Sequence, residues 1–162
     1  MVVLVILILT IITLITFIIV YNSFQEYIIR LNEAEIVIDN ILRKKYDLLN
    51  NSNDIFKKFI ECSDSFDLVN EIKNKTLNNF ELNSLIVNSM IEYKKYKNQN
   101  ENLMNDDDFI KIDNALNESD AELIASRNYY NDISNKYNSL LTKFPYNLFA
   151  KGLNYKTKCI YK

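Results

Sequence analysis

Residues 106–145 read DDDFIKIDNALNESDAELIASRNYYNDISNKYNSLLTKFP, and the spacing of their apolar side chains predicts the fold. Phe109, Ile112, Leu116, Ser119, Leu123, Ser126, Tyr130, Ile133, Tyr137, Leu140 and Phe144 recur at alternating steps of three and four. That is the heptad seam of a long helix packed lengthwise against other long helices. Ser119 and Ser126 leave gaps in the seam for a bulky neighbour. Asp106-Asp107-Asp108 supplies a cap and negative charge at the positive end of the helix dipole. Pro145 ends the run, because it has no amide hydrogen and disfavours the helical conformation of Phe144.

The same period appears upstream. Phe24, Ile28, Leu31, Ala34, Ile38, Leu42, Tyr46 and Leu49 form one apolar stripe, with Arg30, Glu33, Glu35 and Lys44 off it. Asn50-Asn51-Ser52-Asn53 reads as a break, after which Ile55, Phe56, Phe59 and Ile60 resume the helix past a bend. Ser63-Asp64-Ser65 reads as the N-cap of a further helix. Its rougher apolar face is Phe66, Val69, Ile72, Leu77, Phe80, Leu85 and Met90, and it closes on the cations of Tyr93-Lys94-Lys95-Tyr96-Lys97. Residues 98–105 read as a loop. The prediction is an all-α, antiparallel up-and-down bundle of three to four long helices.

The first twenty residues, MVVLVILILTIITLITFIIV, hold no charge, no Gly and no Pro. As a helix they extend about 30 Å, the thickness of a bilayer's hydrocarbon core. A cleaved signal peptide would want a basic residue before the run and small residues after it; here nothing basic precedes Val2, and Tyr21-Asn22-Ser23-Phe24 follows. A buried core helix seldom stays apolar on every face for so long. Residues 1–21 are therefore read as a transmembrane anchor in contact with lipid, and residues 22–162 as one helical domain. Arg30, then Arg43, Lys44 and Lys45, lie on the C-terminal side, which favours an outside N-terminus and a cytoplasmic bundle.

Composition narrows the chemistry. The chain has one Gly, one Pro and no His, and a net charge of −2. Scarce turn residues argue against a sheet. One glycine excludes a Walker or Rossmann phosphate loop. The absence of His removes the commonest general base and transition-metal ligand. No basic stripe suits nucleic acid. Cys62 and Cys159 belong to no CxxC pair and are read as thiols without a catalytic role.

Three polar groups invite a functional reading. Asp106-Asp107-Asp108 lacks the spaced acids, turn glycine and terminal Glu of an EF-hand loop, and reads as a cap. Arg43-Lys44-Lys45 would stand about 35 Å beyond the anchor on a straight helix, outside the reach of lipid charge, and reads as a solvated face. Arg127, Asn131, Ser134 and Asn138 make a polar row beside Tyr130 and Tyr137, read as hydrogen-bonding a facing helix, with Arg127 matched to Asp47. Tyr46, Tyr130 and Tyr137 are read as core. No metal or cofactor set emerges.

These stretches together resemble the LemA family of bacterial membrane-anchored helical proteins. Tyr21-Asn22 follows the apolar run as it does there. Leu42-Arg43-Lys44-Lys45-Tyr46-Asp47-Leu48-Leu49 is similar to that family's basic-basic-Tyr-Asp-Leu-Ile stretch. Arg127, Tyr130-Asn131 and Tyr137-Asn138 are similar to its Arg-x-x-Tyr-Asn and Tyr-Asn pair. Phe144-Pro145-Tyr146-Asn147-Leu148-Phe149-Ala150 is similar to its Phe-Pro-x-Asn-x-x-Ala ending. Asn50 stands where the family usually has Pro, and residues 61–100 show no legible match. The resemblance implies a single span and a helical bundle, and no transferable activity.

The sequence thus predicts a single-pass, membrane-anchored bundle of non-enzymatic structural or protein-interaction role, with a protein partner or a second copy and no nucleic acid. The alternative is a sensor domain for a small ligand or envelope state, signalling through a partner. An exposed aromatic strip would favour partner binding; a buried one would not.

Overall fold

A computed structural model describes residues 1–59 and 79–161. They form α1 (Val2–Phe59), α2 (Asn79–Gln99), a 3-10 turn (Glu101–Asn105), α3 (Asp107–Thr142) and the short α4 (Tyr146–Gly152). No strand occurs among the described residues. The protein is an all-α bundle in which the long N-terminal apolar helix packs against the others. The Ser63-Asp64-Ser65 cap and the apolar positions up to Leu77 lie outside the described residues.

The helices contribute to two compact units, residues 1–36 with 126–162, and residues 37–125. In the first, α1 and α3 run antiparallel: Phe24 meets the Tyr137 ring at 5.9 Å, and Tyr130 reaches Glu35 at 3.1 Å. Phe24, Leu31 and Ala34 are buried on the α1 side, and Tyr130, Ile133 and Tyr137 on the α3 side. In the second, Ile38, Leu42, Leu49, Ile55 and Phe56 are buried together with Leu82, Ile86 and Tyr93 of α2 and with Phe109, Leu116 and Leu123 of α3. Phe56 sits 5.6 Å from Tyr93 and 5.7 Å from Phe109, while Tyr93 and Phe109 stack at 5.9 Å.

Asp106 caps α3 as its placement predicts. One carboxylate oxygen accepts from the amides of Asp108 (3.0 Å) and Phe109 (2.9 Å), two of the donors a helix start leaves unpaired. Asp108 is engaged by Lys111 at 2.9 Å.

Three expectations are corrected. No break occurs at Asn50-Asn51-Ser52-Asn53: α1 runs on to Phe59. Ser52 donates back to the Leu49 carbonyl at 2.7 Å, and burial of Ile55 and Phe56 offsets the poor propensity of the Asn-rich turn. Residues 98–105 are more ordered than a loop, since α2 reaches Gln99 and the 3-10 turn buries Leu103. The seam of α3 stops short of Phe144, which is 78% exposed. The helix ends at Thr142 ahead of Pro145, and the Phe144–Pro145 peptide is cis.

Candidate functional site

The polar row beside the tyrosine seam of α3 engages the chain's own C-terminal residues, where a facing helix was expected. Asn131 donates to the Tyr161 carbonyl at 2.8 Å and accepts from the Tyr161 amide at 2.8 Å. Asn138 does the same with Lys158, both bonds at 2.8 Å. Each carboxamide thereby offers one donor and one acceptor to the backbone of a single residue, as a neighbouring strand would. Seven helical residues rise about 10.5 Å. Three extended residues cover about 10 Å. The Asn131–Asn138 spacing therefore matches Lys158–Tyr161 without strain.

Aromatic side chains fix the same segment. The Tyr155 ring lies 4.8 Å from that of Phe24, and Gln25 donates to the Tyr155 hydroxyl at 3.1 Å. The Tyr161 ring meets Tyr130 edge-on at 5.0 Å, and the Arg127 guanidinium lies 5.5 Å over it. Asn154, at φ 55°, takes the left-handed turn by which the chain leaves α4, a conformation Asn tolerates better than most residues.

Glu35 gathers the charge in this unit, accepting from Tyr130 and lying 3.8 Å from the Lys158 ammonium. Burial, opposed by the neighbouring Ser134 hydroxyl and aided by Glu35, pushes the Tyr130 hydroxyl up to about 12. Burial likewise raises Tyr137, with Tyr155 adding to it, and raises Tyr161, with Glu35 adding and Arg127 opposing. These phenols stay protonated at neutral pH. They serve as donors and apolar bodies, and their values lie far from those of a general acid or base working near pH 7.

In the second unit the basic triplet divides. Arg43 is exposed and donates to Asp39 at 2.8 Å. Lys44 faces Glu122 at 3.4 Å, with both side chains well exposed. Lys45 is only 4% exposed and pairs with Asp120, so it does not belong to a solvated face. Tyr46 is half-buried, and burial raises its hydroxyl, with Asp47 adding to the shift. Asp47 itself is exposed.

A second buried polar group was not anticipated. Asp113 accepts from the Tyr93 hydroxyl at 3.0 Å, from Lys97 at 2.7 and 2.8 Å, and from Asn117 at 3.5 Å. The Tyr93 hydroxyl is pushed far up by burial and by Asp113.

The remaining signature residues surround α4. Ala150 is buried, Pro145 and Asn147 are half-buried, and Phe144 is exposed. The Asn147 side-chain oxygen is buried without a hydrogen-bond partner among the described residues. Cys159 carries a free, exposed thiol, and Cys62 lies outside the described residues. No cluster of metal-ligating side chains occurs among the described residues.

The geometry defines a long-helix bundle protein with, among the described residues, one helix long and apolar enough to cross a membrane. The chain belongs to the LemA family, whose profile matches residues 34–162. That span takes in residues 61–100, where the family's motifs are not legible. It leaves out the apolar run and Tyr21-Asn22. Comparison with curated proteins and with solved structures finds no match.

Proposed function

We propose that this protein is a membrane-tethered helical scaffold that contacts a protein partner or a second copy of itself, and that it carries out no chemistry of its own. The tether reading rests on the apolar run. Its side chains are exposed from Val2 to Ile19, apart from a half-buried Thr16. A surface of that extent calls for lipid to cover it. Thr10, Thr13 and Thr16 donate to the carbonyls of Ile6, Leu9 and Ile12 at 2.8–2.9 Å, so their hydroxyls enter lipid already paired. The positive-inside rule supports a bundle in the cytoplasm and an N-terminus outside.

The non-enzymatic reading rests on the signature residues being engaged by other side chains and backbone groups of the same fold. Tyr130, Asn131 and Asn138 hold the C-terminal segment, Tyr137 packs on Phe24, and Lys45 pairs with Asp120. The buried tyrosines offer no aromatic strip. An aliphatic apolar surface is left for a partner on the stretch of α1 that follows the anchor: Ile29 and Ile36, seven residues apart on one face, are 54% and 61% exposed.

A photo-crosslinking residue at Ile36 in the full chain tests this in living cells. The scaffold reading predicts a discrete adduct of fixed mass that Ile29→Asp abolishes. A complete lack of adducts would contradict it. The sensor alternative has one observation in its favour, an open recess of about 300 Å³ lined by Tyr27, Asn135, Lys136, Ser139, Leu140 and Lys143, at the small end of ligand sites. It predicts a ligand-dependent rise in melting temperature that Ser139→Leu removes.

A further inference from the structure

We infer that α4 and the residue leading into it form an interfacial foot that rests on the lipid surface beside the anchor, with lysines set against acidic headgroups. The inference rests on the tether reading above.

Depth comes first. Phe149 of α4 meets Phe17 edge-on at 5.6 Å, and Phe17 lies inside the apolar run. Tyr146, three residues earlier in α4, meets Phe24 at 5.9 Å. Phe24 lies about 6 Å beyond the end of the run at Val20, and Phe17 about 4.5 Å within it. The short helix therefore straddles the level at which hydrocarbon gives way to headgroups. Val20 is 2% exposed, the one residue of the run that this unit covers completely. Tyr21, stacked on Phe17 at 6.3 Å, stands where interfacial aromatics collect.

The second observation is what α4 leaves uncovered. Its inner face is Tyr146, Phe149 and Ala150. On its outer side Leu148 is 60% exposed, and Phe144 just before the helix and Leu153 just after it are 78% and 40% exposed. An exposed Phe–Leu–Leu surface at this depth on a free bundle would be costly; pressed a few ångströms into a bilayer it is the apolar side of an interfacial helix.

Charge is the third. From Ile133 to the last residue the sequence holds six lysines and no Asp or Glu. Lys143 and Lys151 flank the outer face and are exposed, as is Lys156 just beyond it. Lysines within a Debye length of an anionic surface are attracted to it, and their stems cover apolar area as they reach for headgroups.

The test uses the full chain with Cys62→Ser and Cys159→Ser, in vesicles of phosphatidylethanolamine and phosphatidylglycerol. An environment-sensitive fluorophore is attached in turn at Leu148→Cys, Leu9→Cys and Asn128→Cys. Lipids brominated high or low on the acyl chain serve as quenchers. Support is a blue-shifted Leu148 label that loses fluorescence to shallow bromines, a Leu9 label quenched by deep bromines, and an Asn128 label unchanged by either. A Leu148 label that matches the Asn128 label, with Leu9 still quenched, overturns the foot and leaves the anchor standing. A Leu148 label that is blue-shifted but insensitive to bromine also overturns it, because protein then covers the face. A Leu9 label untouched by deep bromines overturns the tether reading and the foot with it.

Discussion

Three polar side chains on α1 sit where the helical repeat calls for apolar ones. Steps of four and three from Phe24 lead through Ile28, Leu31, Glu35, Ile38, Leu42, Lys45, Leu49 and Ser52 to Phe56. Glu35 meets the Tyr130 hydroxyl, Lys45 meets Asp120, and Ser52 donates to its own helix. The alternation was legible in the sequence. Tyr46 drew the stripe off by one residue because it is the more apolar choice, and that slip placed Lys45 on a solvated face. The two ends of the Lys45–Asp120 pair differ in burial, with side chains 5% and 38% exposed. Removing the buried partner's counter-ion is the costlier change. Asp120→Asn should therefore lower stability by about 2–3 kcal/mol by stranding an ammonium. Lys45→Met should cost less than about 1 kcal/mol, because water still reaches Asp120. Equal losses in denaturant unfolding would contradict this picture.

The tyrosines give a second check at the residue scale. A folded value raised above the unfolded one contributes stability that is complete below the unfolded value and lost as pH climbs through the folded value. For Tyr130 that window runs from about 10, the ordinary phenol value, to about 12. Ultraviolet titration should show a group of phenols ionising late and together with loss of helix. Titration of all tyrosines near their ordinary value in the folded protein would contradict it.

At the scale of elements, the helices were largely readable and the C-terminal segment was not. Seam, cap and Pro145 stop of α3 follow from side-chain period and local chemistry. The docking of residues 155–161 depends on backbone groups, which leave no mark in a side-chain pattern. Only the two asparagines, seven residues apart, hinted at it. Asn131→Asp or Asn138→Asp replaces a donor with a second acceptor facing a carbonyl, at a cost of about 1–2 kcal/mol. Either variant should leave helix content unchanged and speed tryptic cleavage after Lys156 and Lys158. Unaltered cleavage rates would show that the aromatic contacts hold the segment alone. Continuity of α1 through Asn50-Asn51-Ser52-Asn53 is a case of packing overriding propensity, since Ile55 and Phe56 gain more by burial than the turn loses.

For the whole molecule, one unbroken helix joins an apolar run to a bundle whose signature side chains are engaged within the fold. The scaffold role proposed above builds on that arrangement. The direct measurement is alkaline carbonate extraction of membranes containing the full chain, followed by the intact mass of what remains. The account predicts that the protein stays with the bilayer at the mass of all 162 residues. Release into the supernatant, or retention of a chain shortened by the apolar run, would contradict it.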